Sequence, residues 1–184
     1  METKGTVYFF TGLSGAGKTT LGGLFYRRLK EQKPNVVRLD GDEIRPVFGE
    51  DSGYAFEDRR RLAERAFRIC KMLAAQGIDV VCCSISMFDS VREWNRKNIE
   101  NYKEIYIKVT KETLLSRNQK GLYTSGKNVI GVDLPFEEPR MPDLIIHNDG
   151  QNSPVELVEE IERRLHGETP HLNTVTTPAQ ETAI

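Results

Sequence analysis

The chain has 184 residues, enough for one domain with a sizeable buried core. Its 26 basic residues nearly cancel its 27 acidic ones, so no global field marks it as a nucleic-acid or membrane-surface binder, and an anionic ligand has to be held by local groups. No apolar run approaches the ~20 residues of a membrane span, and the first residues run almost directly into a strand with no room for a signal peptide, so the expected compartment is the cytoplasm.

Val7-Tyr8-Phe9-Phe10 reads as a first strand and Leu21 to Leu29 as a first helix. Between them lies Gly12-Leu13-Ser14-Gly15-Ala16-Gly17-Lys18-Thr19-Thr20, which has G-x-x-x-x-G-K-S/T spacing in the strand-to-helix context of a phosphate-binding loop. Gly12, Gly15 and Gly17 let the backbone approach a polyphosphate and turn successive N–H groups toward it. The helix start adds its positive dipole end. Lys18 reaches the β- and γ-phosphates as a point charge, and the Thr19 hydroxyl is a candidate Mg²⁺ ligand. The expected donor set is therefore Gly12, Ser14, Gly15, Ala16, Gly17, Lys18, Thr19 and Thr20.

Val36 to Leu39 is a second strand that ends in Asp40-Gly41-Asp42. Residues 56–76 show helical periodicity at Leu62, Ala66, Ile69 and Leu73, with Gly77 as the stop. Ile78 to Ile85 is a nearly continuous apolar run, as in a central parallel strand. Cys82 and Cys83 would point to its opposite faces and Cys70 lies on the preceding helix, so reduced thiols are expected rather than a metal or redox site. A polar helix follows over 89–100, then a strand over Ile105 to Val109, a short helix over Lys111 to Arg117, and a fifth strand over Leu144 to Ile146. Ser153 to Leu165 is a closing amphipathic helix with Ser153 as cap and Pro154 in its first turn. His147, His166 and His171 form no ligand pattern. Residues 118–143 are too long and glycine-rich for a tight connection and read as a lid carrying Lys120 and Lys127. Residues 168–184, rich in Thr and Pro, read as a disordered tail, which leaves 1–167 as the domain.

Strands alternating with helices predict an α/β fold, a five-stranded parallel sheet with helices on both faces. Ligands on such sheets collect at the carboxyl ends of the strands, which brings the phosphate loop, Asp40 to Asp42 and Ser84 to Ser86 to one edge. There a carboxylate from Asp40 or Asp42 can orient or deprotonate an attacking hydroxyl, or hold Mg²⁺ through water. Arg45 follows one turn later, and Asp58-Arg59-Arg60-Arg61 opens the long helix, so guanidinium groups face a second anionic ligand. Arg60 and Arg61 read as a solvated helix face.

The stretches Gly12 to Thr20, Leu39-Asp40-Gly41-Asp42-Glu43-Ile44-Arg45, Asp51-Ser52-Gly53-Tyr54, Asp58-Arg59, Ile85-Ser86, Lys120-Gly121-Leu122-Tyr123 and Gly131 to Pro139 together resemble the adenylyl-sulfate (APS) kinases, over residues 5–148. The resemblance implies a P-loop kinase fold with a lid loop, use of ATP and Mg²⁺, a homodimer, and transfer of the γ-phosphoryl group to the 3′-hydroxyl of adenylyl sulfate. It gives catalytic roles to Asp42, which activates that hydroxyl, and to Lys18. It places Arg45 and Arg59 on the acceptor's anionic groups, Tyr54 on its base, and Asp40, Ile85 and Ser86 along the acceptor pocket. Arg117 falls on the ATP side, with Lys120 and Lys127 in the lid.

The chain departs from that family in a shorter lid and at three places. Leu62 stands where an asparagine is usual, Ile85-Ser86-Met87-Phe88-Asp89 replaces I-S-P-Y-R, and the aromatic that partners the stacked adenine falls at Val129 or Ile130. A capsule-associated branch, which phosphorylates cytidine diphosphoramidate at the ribose 3′-hydroxyl, resembles this chain in Glu93-Trp94-Asn95-Arg96 and Asn128 to Asp133. A pyrimidine suits a clamp that lacks its second aromatic. Adenylyl sulfate is the expected acceptor and cytidine diphosphoramidate the alternative. Two readings of other kinds stand beside them: an inactive nucleotide-binding regulatory module, and a kinase for a non-nucleotide small molecule.

Overall fold

A computed structural model describes residues 3–51, 53–86, 88–118, 121, 123, 130–131 and 134–167. The chain runs β1 (Val7–Thr11), α1 (Lys18–Gln32), β2 (Val36–Asp40), α2 (Gly41–Ile44), a 3-10 stretch (Pro46–Asp51) and α3 (Phe56–Ala75). It continues through β3 (Asp79–Cys83), α4 (Asp89–Asn98), β4 (Tyr102–Lys108), α5 (Lys111–Arg117), β5 (Leu144–His147) and α6 (Pro154–Leu165). The strands form one sheet in the order β2-β3-β1-β4-β5, with every neighbouring pair parallel.

Alternation along β1 builds two cores. Phe10 packs with Leu21 and Phe25 of α1, with Cys83 and Ile105 of the flanking strands, and with Leu157 and Ile161 of α6. Val7 and Phe9 face the other way, onto Phe67 and Cys70 of α3, Val80 and Cys82 of β3, and Val91 of α4. Phe9 and Phe67 meet edge to face, centroids 4.8 Å apart, a geometry that adds to their burial. The neighbouring cysteines therefore split between the two cores, and all three are buried and free, as expected.

Local signals set the helix ends. Ser153 and Glu156 form a reciprocal capping box on α6. Gly77 takes φ +78° after α3 and donates its amide to the Ala74 carbonyl. Arg60 and Arg61 are exposed and pair with carboxylates on their own helix, as a solvated face should. Among the boundaries that differ from the sequence reading, two have a visible cause or consequence. β3 stops at Cys83, which frees Ser84, Ile85 and Ser86 to turn toward the ligand edge. β4 begins at Tyr102, three residues before Ile105, because Glu104 breaks the apolar pattern yet is fully buried against Arg96 at 2.7 Å.

Among the described residues, no helix is long and apolar enough to cross a membrane, and no three His, Cys, Asp or Glu side chains cluster as a metal site. The expected tail, and Lys120, Lys127 and Val129 of the expected lid, lie outside the described residues.

Candidate active site

The segments that follow β1, β2, β3 and β5 contribute to the lining of a cavity of ≈ 620 Å³. The loop after β1 owes its shape to glycines at two close approaches. A Cβ on Gly12, at φ +147°, would stand 2.4 Å from the Ile107 carbonyl, and one on Gly17, at φ +100°, would stand 2.5 Å from Asn148 Nδ2. Gly17 caps α1 without a side-chain acceptor, so the first-turn amides of a 15-residue helix are left for an anion. Inside the loop, the Leu13 carbonyl accepts from the Ala16 amide at 3.1 Å and from Lys18 Nζ at 2.9 Å. Burial pushes the Lys18 ammonium down to about 8, against the upward pull of Cys83, Asp40 and Asp42.

Asp40, at the end of β2, joins the donor side to the acceptor side. Its Oδ2 accepts from the Thr19 hydroxyl at 2.8 Å, and its Oδ1 accepts from the Asp42 amide at 3.1 Å, capping α2. The sequence reading put Asp40 in the acceptor pocket; its carboxylate lines the cavity beside Thr19. The same cap holds Asp42 in the first turn of α2, on the cavity wall.

The acceptor side is electropositive. Arg45 Nη1 donates to the Gly53 carbonyl at 2.6 Å and Arg59 Nε to the Tyr54 carbonyl at 2.8 Å. Their guanidinium carbons stand 4.4 Å and 5.4 Å from the centroid of the largely exposed Tyr54 ring. Burial first, and then the like charge of Arg45, lower the pKa of Arg59, so an anion between them would relieve both costs. Across the cavity, Ile85 and Ser86 form the turn after β3. Ser86 is buried at φ +28°, and its hydroxyl has no hydrogen-bond partner among the described residues. Leu62, Ala63 and Ala66 of α3, with Phe88 and Ile130, make an apolar wall.

Every described residue of the expected site lines this cavity except Gly12 and Ala16, which lie behind it in the loop. Arg117 reaches it from α5, its Nη1 donating to the Gly15 carbonyl at 3.1 Å and its Nη2 to the Asn148 carbonyl at 2.7 Å. Two further residues brace the loop and were missed in the sequence. Asn148 Nδ2 donates to the Ala16 carbonyl at 2.8 Å, and the Tyr123 hydroxyl donates to the Ser14 carbonyl at 2.6 Å. A signal existed for Asn148, because it directly follows β5 on the ligand edge of the sheet. Tyr123 stands in the K-G-L-Y stretch, where a hydroxyl offered no clue to its target.

Residues 4–147 match the family model described as adenylylsulphate kinase. The chain belongs to that family. Membership makes it an ATP-dependent kinase. The cytidine diphosphoramidate kinase of Campylobacter jejuni is 40% identical over 172 residues, spanning 90% of this kinase and 99% of the relative. The probable adenylyl-sulfate kinase of Bacillus subtilis is 34% identical over 172 residues, 88% of this kinase and 87% of the relative. Among solved structures, the APS kinase of Mycobacterium tuberculosis in complex with AMPPNP and APS superposes with a TM-score of 0.81 at 28% identity, covering 89% of this kinase and 98% of that chain. The kinase has the P-loop kinase fold expected from its sequence.

Proposed function

We propose that this kinase transfers the γ-phosphoryl group of ATP to the ribose 3′-hydroxyl of a nucleotide acceptor. One observation carries the reading: a single cavity is lined by the phosphate loop, by the Arg45, Tyr54 and Arg59 cluster, and by Asp42. Asp42 orients the hydroxyl and takes its proton as the new P–O bond forms and the bond to ADP breaks. Lys18 balances charge on the β- and γ-phosphates, and the α1 amides hold them in place.

Thr19 and Asp40 would hold Mg²⁺. Their hydrogen-bonded oxygens are hard donors on the donor side, and Mg²⁺ uses one or two carboxylates completed by phosphates and water. Bound there, the metal supplies charge neutralisation of the phosphate oxygens.

The residues favour cytidine diphosphoramidate as the acceptor. The relative bearing that name matches nearly end to end at 40% identity, and a cavity lined by Tyr54 together with the aliphatic Leu62 and Ile130 suits a one-ring base. Adenylyl sulfate is the second reading, supported by the family model and by the likeness to an APS kinase solved with APS. Incubation with ATP and each acceptor separately, followed by ³¹P NMR, locates the added phosphate. It should appear as a monoester on the ribose 3′-oxygen; ADP release no faster than background ATPase with both acceptors refutes the proposal. A homodimer is the assembly we propose from the family resemblance, and light scattering on the purified chain tests it. The three buried free cysteines support a reducing, cytoplasmic setting.

A further inference from the structure

α4 reads as a polar surface helix, yet its Arg92 side chain is 1% exposed. The guanidinium is shared among four partners from separate parts of the chain. Nη1 donates to the Ser86 carbonyl at 2.6 Å, and Nη2 donates to the Glu137 carbonyl at 2.6 Å and to the Asp89 carboxylate. Nε faces Oε1 of the fully buried Glu104, 3.9 Å away on β4. Glu137 closes the ring, its Oε2 accepting from the Asp89 amide at 2.6 Å, while Arg140 Nε pairs with Asp89 at 2.9 Å.

One of those partners lines the cavity, and another lies in the limb that follows a second lining residue. Ser86 lines it from its left-handed turn. Ile130, the second lining residue, is carried by the limb that contains Glu137: it bridges to Leu134, and the Gly131 amide donates to the Leu134 carbonyl at 2.8 Å. Arg92 itself is not on the cavity wall.

We propose that Arg92 is a positioning residue for phosphoryl transfer, its one buried guanidinium holding the Ser84 to Ser86 turn and the 134–143 limb in a fixed relation so that the lining at Ser86 and at Ile130 is set together. The assignment rests on the reading that this part of the cavity receives the acceptor. A planar fork can serve two carbonyls and a carboxylate at once, whereas an ammonium on a flexible stem keeps the charge and loses that geometry. Removing the charge altogether would leave the buried Glu104 to Arg96 alone and Asp89 to Arg140 alone, so Arg92→Lys is the informative substitution.

In the full chain, Arg92→Lys should raise the acceptor KM about tenfold or more and leave the ATP KM within about twofold. Hydrogen exchange should speed up by about tenfold in Ser84–Ser86 and Glu137–Asp143 together, with the phosphate loop unchanged. The exchange readout needs no acceptor. Coupled exchange in a kinase that phosphorylates neither nucleotide would sink the acceptor reading and keep the Arg92 link. Faster exchange in one segment alone, equal shifts in both KM values, or no change in either readout overturns the proposal. If Arg92→Lys fails to fold, Asp89→Ala decides, since it removes one Nη2 acceptor and leaves the cation. The same paired rise at smaller amplitude is expected, and unchanged exchange overturns the link.

Discussion

In the proposed reaction Lys18 and Asp42 divide the chemistry between them, and each gives a distinct test. The folded chain releases the Lys18 proton near pH 8, whereas an unfolded chain holds it to its ordinary value of ~10.4. Between those values the unfolded chain binds more protons, so this group makes the ligand-free kinase more stable as pH rises from 8 toward ~10.4. Polyphosphate favours the charged form, so ATP binding at pH 8 should take up about half a proton. Titration calorimetry in buffers of differing ionisation enthalpy reads that uptake, and Lys18→Met should abolish it; zero uptake in the unaltered chain would mean that Lys18 does not meet the phosphates. Asp42→Ala should lower kcat by about 10²- to 10⁴-fold with the Kd for ATP unchanged. A regulatory module without turnover would lose nothing measurable, so an unaltered ADP-release rate favours that reading.

At the scale of elements, α1 rests on the sheet through Gly22, where a Cβ would meet Cys83 Sγ at 2.3 Å. Gly22→Ala gains about 1 kcal/mol of helix propensity but overpacks the core by about 1–3 kcal/mol. A net loss of up to ~2 kcal/mol is expected in denaturant unfolding, partly restored by Cys83→Ala in the same chain; a stabilised single variant would show that this contact does not set the spacing. Elements whose signals are local were legible in the sequence. The phosphate loop, the α6 cap and the Gly77 stop all depend on neighbours within a few residues. β4 and α4 were less legible because Glu104, Arg92 and Asn95 are buried polar groups. Glu104 and Arg92 are balanced by partners that adjoin them only after folding, which periodicity cannot reveal. Asn148 and Tyr123 were missed for the same reason, bonding to the loop across 132 and 109 residues.

For the whole molecule, β1 lies at the centre of the sheet, so the loops after β1, β2 and β3 open on one edge, where donor and acceptor must meet. The phosphate loop is continuous in sequence and was read from nine residues, Gly12 to Thr20, while Arg117, Tyr123 and Asn148 brace it from far along the chain. The half proposed for the acceptor is assembled from α2, α3, the turn after β3 and the returning limb, and Leu62, Phe88 and Ile130, three of the positions that depart from the family, contribute to its apolar wall. A one-ring base on Tyr54 is what that wall suits. The most direct test is competition: the kinase is given limiting ATP with cytidine diphosphoramidate and adenylyl sulfate at equal concentration, and both phosphorylated products are weighed by mass spectrometry. Phosphate should go to the cytidine nucleotide by about tenfold or more, as expected when one acceptor fits the pocket better in the transition state; a product made mainly from adenylyl sulfate would contradict it.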